Sequence, residues 1–300
     1  MISELSKNTY FFLVLTLFFS FISCGQNKKL SSELVSIKSA DNTTQKIETS
    51  AQQTQLYLEL LKGKNIAIVA NQTSVIFKKD GSYTHLIDSL LFLKIEVEKV
   101  FSPEHGFRGK ADASEKVANG IDIETGLQIV SLYGKNKKPT TEQLKGIDIV
   151  IFDIQDVGVR FYTYISTLHY VMEACAENNI ELIILDRPNP NGHYIDGPTL
   201  EIEHKSFVGM HPVPLVYGMT IGEYGQMING ENWLKNNIKC ALTVIPLKNY
   251  NHQSFYHLPI RPSPNLPNDM AINLYPSLGF FEGTTINAGR GTENQFQQYG

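Results

Sequence analysis

The run "DIVIFDIQDVGVR", residues 148–160, has four consecutive apolar side chains after Asp148 and then turns polar at Asp153, Gln155, Asp156 and Arg160. A strand with one face in water alternates apolar and polar residues; a strand without that alternation is covered on both faces, as in a parallel sheet flanked by helices. The same grammar recurs on either side. "NIAIVAN", "VEKVFS", "QIVSLYG", "ELIILD" and "CALTVIPL" read as strands. "THLIDSLLFLK", "TTEQLKG" with its Thr cap, "TYISTLHYVMEACAENN" and "TIGEYGQMINGENWL" read as the helices between them. The alternation predicts an α/β fold with a doubly wound, Rossmann-like parallel sheet over residues 51–248. From about residue 249 the chain is rich in Pro, Gly and Asn, and a smaller, incomplete C-terminal domain is expected over 249–300.

The N-terminus follows a different pattern. Residues 11–22 form an apolar run too short to cross a bilayer comfortably, ending in Ser23, Cys24 and Gly25 before the chain turns polar. This is the shape of a bacterial lipoprotein signal peptide over residues 1–24, with Cys24 as the lipidated first mature residue, although Glu4 and Phe21 depart from the usual pattern. Residues 25–50 are polar, without large aromatic side chains, and read as a tether. Export to the cell envelope on a lipid anchor, facing the periplasm, is the resulting expectation. The other two cysteines, Cys175 and Cys240, sit in apolar contexts and read as buried small hydrophobes.

A 300-residue chain with 42% hydrophobic and 19% charged residues has the composition of an ordinary globular protein. A net charge of −4 argues against a nucleic-acid partner, which calls for a basic face. No glycine-rich nucleotide cradle, no G-x-S-x-G elbow and no H-E-x-x-H ligand spacing occurs, so no cofactor and no metal site are expected.

In open α/β sheets ligands bind beyond the carboxyl ends of the strands. Those positions here carry Asn71, Gln72 and Thr73; Glu104, His105 and Arg108; Asp153, Gln155, Asp156 and Arg160; and Asp186, Arg187 and Asn189. Four strands thus deliver amides, carboxylates and guanidiniums to one edge, with "SPEHGFRG" stiffened by Pro and Gly as one wall of a cleft. Each residue also has a structural reading. Glu104 and His105 can serve the loops as hydrogen-bonding groups, and Asp153 and Asp156 can cap the following helix. Arg108, Arg160 and Arg187 suit either pairing with those carboxylates or binding an anionic substrate group. His211, in a Pro-rich turn, reads equally as structure or as site.

The blocks "VANQTS", "FSPEHGFRGKADASEKV", "SLYG", "VIFDIQDVGVRFYTYISTLHYVMEA", "LDRPNPNG", "FVGMHPVPLVYGMTIGE", "PSPNLP" and "EGTTINAGRGTENQF" together resemble the NamZ-type exo-β-N-acetylmuramidases, in order, over roughly residues 60–297. The resemblance implies a glycosidase that removes a non-reducing terminal N-acetylmuramic acid from peptidoglycan fragments, in a cleft between a Rossmann-like and a smaller domain. It implies catalysis by Glu104, which suits the role of general acid. With the strand-end positions added, His105 and Asp156 are further catalytic candidates, and the candidate substrate contacts are Asn71, Gln72, Arg108, Asp153, Gln155, Arg160, Tyr162, Arg187, Asn189, His211, Glu282 and Arg290. Candidates for the second catalytic group are Asp156, Glu115, Glu282, Glu293 or the substrate's own acetamido group, and the lactyl carboxylate has four candidate partners: Arg108, Arg160, Arg187 and Arg290. Its blocks normally continue past "GRGT" with a Pro-Phe segment that is not found here. The alternatives are a muropeptide-binding lipoprotein without catalysis, or another cell-wall hydrolase on the same scaffold.

Overall fold

The computed structural model describes residues 46–108 and 119–300. The signal peptide, Cys24 and Glu115 fall outside the described residues, as does the tether up to residue 45. Residues 46–50 belong to the folded body instead: Glu48 pairs its backbone with Lys248 at 3.1 Å in both directions, and Thr49 and Ser50 are fully buried. Among the described residues, no helix is long and apolar enough to cross a membrane.

Nine strands are present among the described residues: β1 Ile66–Ala70, β2 Val75–Phe77, β3 Tyr83–His85, β4 Val97–Ser102, β5 Gly120–Ile121, β6 Gln128–Ser131, β7 Ile149–Asp153, β8 Glu181–Leu185 and β9 Leu242–Ile245. Seven form one sheet in the order β5-β6-β4-β1-β7-β8-β9, parallel except for β5 at one edge. The parallel strands, taken in chain order, lie 3-2-1-4-5-6, and the order reverses between β1 and β7, where such sheets bind ligands. Ala70 lies opposite Asp153, and Ser102 opposite Ser131, so Asn71, Glu104 and Gln155 leave the sheet from the same edge.

Both faces of the sheet are covered. Ala67, Val69, Val150, Phe152, Leu182 and Ile184 face one core with the helices Tyr164–Glu177 and Ile221–Gly230. Their sequence neighbours Ile66, Ile68, Ile149, Ile151, Ile183 and Leu185 face a second core with Leu86, Ile87 and Leu90 of the helix Leu86–Phe92. Every residue of β1 and β7 is buried, and this two-sided burial is the physical reason for their unbroken apolar runs. Each large aliphatic side chain so buried contributes about 1.5–3 kcal/mol before the entropy of ordering the chain is subtracted.

Two local features differ from expectation. Residues 75–85 form a small antiparallel hairpin, β2–β3, before the helix that was expected to start at Thr84. The Pro- and Asn-rich stretch after 249 contains a ten-residue helix, Asp269–Leu278, capped by Asn268 and carrying Pro276 within it. That helix buries Ala271, Ile272 and Tyr275 in the first core, and residues 46–300 form one compact unit.

Candidate functional site

A cavity of about 290 Å³ opens beyond the carboxyl ends of β4 and β7. Its wall includes Glu104 and His105 after β4, Phe161, Tyr162 and Thr163 after β7, Val208, and Ser263, Asn265, Leu266, Tyr275, Glu282, Arg290 and Phe296 from the C-terminal stretch. Glu104 is held in several ways. Pro103 precedes it, and the Gly106 N–H closes the turn onto the Pro103 carbonyl at 3.2 Å. His105 and Gly106 both adopt left-handed backbone, with φ of 71° and 78°. For His105 that conformation costs about 1 kcal/mol or more, a cost typical of segments that present a functional group. Thr163 stands at the N-cap of the helix Tyr164–Glu177 but does not cap it with its side chain; the hydroxyl donates to Glu104 Oε2 at 3.2 Å. Behind this, Asn71 Nδ2 donates to the Tyr164 hydroxyl at 3.0 Å, and that hydroxyl donates to the Glu104 carbonyl at 3.4 Å. The carboxylate is thus presented by a fixed backbone.

Of the residues predicted from sequence, Glu104, His105, Tyr162, Glu282 and Arg290 share this wall, with Tyr162 anchored to the Pro262 carbonyl at 2.8 Å. The other predicted residues among those described do not line it, and apart from Glu293 each side chain has an internal partner. Arg187 forms a buried bidentate pair with Asp153, at 2.6 and 2.8 Å. Arg108 pairs with Asp122 at 2.8 Å and reaches Asp88 and Glu124. Arg160 ties down the carbonyls of Pro198 and Val213 at 2.7 and 2.5 Å. Gln155 donates to the Asp156 and Pro188 carbonyls, and Gln72 to those of Arg261 and Pro262. Asn71 accepts from the Thr73 backbone and hydroxyl. Asn189 donates to the Met219 carbonyl and accepts from the Asn191 N–H; a Cβ on Gly158, at φ +76°, would meet its Oδ1 at 2.3 Å, so only glycine fits opposite it. His211 stacks on Trp233 and shares hydrogen bonds with Tyr224 and His169.

Asp156, a candidate catalytic carboxylate, is 5% exposed and outside the cavity wall. Burial pushes its carboxyl up to about 6, while the Tyr217 hydroxyl and the Gly158 N–H bond to its Oδ2. Glu293 is exposed and also outside the wall. Glu282 is the carboxylate that does share the cavity with Glu104. Burial and the neighbouring Glu104 charge hold its carboxyl above the usual range, against the lowering effect of Arg290 at 3.3 Å. Among the described residues, the carboxylate and imidazole cluster close enough to share an ion is Glu201, Glu203 and His204, all exposed and none in the cavity wall.

The buried imidazoles have a pH consequence. Burial lowers His169 to about 4 and His211 to about 3, so both are neutral in the folded protein near pH 7. An unfolded histidine titrates near 6.5, so below that pH the unfolded chain binds the extra protons and the stability from a neutral buried His is lost. Buried Asp156 and Asp186, both raised to about 6, act in the opposite sense over the same window, and a wild-type profile alone mixes the two. The difference between wild type and His169→Gln isolates the imidazole. The stability lost in that variant at pH 7 is expected to shrink by up to about 1.4 kcal/mol per pH unit from 6.5 down towards 4. Urea melts at pH 7, 6 and 5 check this; a constant difference would show that His169 does not titrate between the folded and unfolded states.

Thr163, Ser263, Asn265 and Tyr275 were not singled out from the sequence. The doubled Pro-flanked motif "RPSPNLP" around Ser263 and Asn265 is the one local signal that marks any of them.

The geometry has relatives. Residues 66–270 match the family model described as exo-beta-N-acetylmuramidase NamZ, N-terminal, and residues 273–300 match its C-terminal counterpart. The chain is 45% identical over 249 residues to the peptidoglycan beta-N-acetylmuramidase NamZ of Bacillus subtilis (strain 168), covering 81% of this chain and 58% of the relative. It therefore spans little more than half of that relative's length. Two crystal structures of DUF1343 family proteins from Bacteroides fragilis superpose on it. One has a TM-score of 0.76 at 50% identity, covering 85% of this chain and 67% of the other. The second has a TM-score of 0.75 at 35% identity, covering 84% and 65%.

Proposed function

Because the chain belongs to the exo-beta-N-acetylmuramidase NamZ family, we propose that it is a glycosidase releasing N-acetylmuramic acid from the non-reducing end of peptidoglycan fragments, with Glu104 as general acid. The observation that supports the reading is a rigidly presented carboxyl, Glu104, in a cavity wall that also holds a second carboxyl, Glu282. Hydrolysis of a glycosidic bond needs both functions: a proton delivered to the leaving oxygen and a base for the attacking water.

In this mechanism the Glu104 carboxyl gives its proton to the glycosidic oxygen as the C1–O bond breaks, and the bonding pair leaves with that oxygen. Water adds to the oxocarbenium-like C1 and loses a proton. Glu282, the other carboxyl in the cavity wall, is assigned that role. Aromatic Tyr162, Tyr275 and Phe161 supply an apolar floor on which a pyranose ring can sit. The same reading puts the protein at the cell envelope, anchored through Cys24, where its substrate lies.

The test is turnover of 4-nitrophenyl β-N-acetylmuramide beside the corresponding N-acetylglucosaminide. Release from the muramide at least about tenfold faster in kcat/KM is expected, the discrimination that one recognised substituent gives. No release, together with measurable binding of N-acetylmuramic acid, would instead favour a muropeptide-binding protein.

A further inference from the structure

Depending on the glycosidase reading only for the identity of the sugar, we infer that Arg290 is the specificity-determining residue of the cavity: it recognises the carboxylate of the lactyl ether and so separates N-acetylmuramic acid from neutral N-acetylhexosamines. Arg108, Arg160 and Arg187 are committed to internal partners, and none of the three lines the cavity. Among the described residues, Arg290 is the one Arg or Lys in the wall. Its commitment is also the weakest of the four: a single contact, Nη1 to Glu282 Oε1 at 3.3 Å, from a side chain 38% exposed.

The backbone beneath it is fixed while the guanidinium keeps its freedom to change partner. Asn287 Oδ1 accepts from the Arg290 N–H at 2.8 Å, and Asn287 Nδ2 donates to the Arg290 carbonyl at 3.3 Å, so one amide side chain clasps the residue from both sides. Gly289 makes this turn possible: its φ is +74°, and a Cβ there would meet the Asn294 carbonyl oxygen at 2.3 Å. A planar fork on a rigid turn is the arrangement that binds a carboxylate with directional hydrogen bonds.

Electrostatics makes the cation necessary. Besides Arg290 the ionisable residues of the wall are Glu104, His105 and Glu282, so Arg290 is the one group there with a fixed positive charge to meet an acidic sugar. Glu282, whose carboxyl is held towards its neutral form by burial and by Glu104, competes poorly for Arg290 against a fully ionised ligand carboxylate. On binding, the guanidinium exchanges its long contact with Glu282 for a shorter, charge-assisted one with the sugar.

Calorimetric titration with N-acetylmuramic acid and with its lactyl methyl ester, which differs in that charge, tests the inference independently of turnover. Wild-type protein is expected to bind the acid about 10- to 100-fold more tightly than the ester, equivalent to about 1.4–2.8 kcal/mol. Arg290→Gln is expected to bring that ratio close to one, and Arg290→Lys, which keeps the charge but loses the fork, to leave it between the two. Equal binding of acid and ester by the wild type, no measurable binding of either at millimolar concentration, or an unchanged ratio in a folded Arg290→Gln protein would each overturn the assignment. Its failure is distinguishable from that of the glycosidase reading. A preserved acid preference without turnover removes the enzyme and leaves Arg290 as the carboxylate reader; turnover with a ratio of one removes Arg290 alone.

Discussion

Glu104→Gln is expected to lower kcat/KM on a disaccharide substrate by about 10²- to 10⁴-fold, the range that a positioned proton donor supplies. The amide is isosteric and keeps acceptance from the Thr163 hydroxyl through its carbonyl oxygen, so the turn set by Pro103, His105 and Gly106 is retained and the protein folds. What it lacks is a proton to give. The loss should therefore depend on the leaving group. A sugar hydroxyl leaves poorly without protonation, whereas 4-nitrophenolate departs as a stable anion, so the variant should be impaired far less on the nitrophenyl glycoside than on the disaccharide. The alkaline limb of the pH–rate profile, which reports loss of the acid's proton, should vanish with it. Equal impairment on both substrates would remove Glu104 from the proton-donor role while leaving it as a binding group. Transfer of the leaving-group signature to Glu282→Gln would reverse the two assignments.

How much of this was legible in the sequence depends on the range of the interaction. β1, β7 and β8 were read correctly because burial on both faces abolishes the apolar–polar alternation, a signal contained in five adjacent residues. The three-residue strands of the 75–85 hairpin are too short to show a period, and their antiparallel pairing was missed. The edge on which the cavity opens was also readable, since polar residues stop each apolar run at its carboxyl end. Their roles were not. Arg187 and Arg290 look alike in sequence, yet one is paired with a carboxylate 34 positions away and the other stands in the cavity wall. No spacing rule reveals that difference, because it is decided by where β7 and β8 lie side by side. The far wall was hidden for a related reason: a stretch dense in Pro, Gly and Asn marks a separate small domain but shows no helical period, and Asn268 caps a helix there whose Tyr275 faces the cavity.

Arg187→Met is expected to destabilise the protein by about 3–5 kcal/mol, a large share of the 5–15 kcal/mol typical of a folded domain. The size follows from what stays behind. Asp153 is fully buried at the end of a central strand, and both of its carboxylate oxygens accept from Arg187. Without the guanidinium, that carboxylate is left buried and unpaired away from water, which favours the unfolded chain. The Val75 carbonyl loses its 3.3 Å donor as well, loosening the β2–β3 hairpin where it meets the site edge. The double variant Asp153→Leu with Arg187→Met removes both charges together, and because a desolvated pair gains little over apolar packing, it should recover most of the stability lost by the single variant. Urea melts of the wild type, both single variants and the double variant complete the cycle. A loss below about 1 kcal/mol for Arg187→Met would mean that Asp153 reaches water or another partner in solution. In that case the Asp153–Arg187 pair would return to consideration as a group available to substrate.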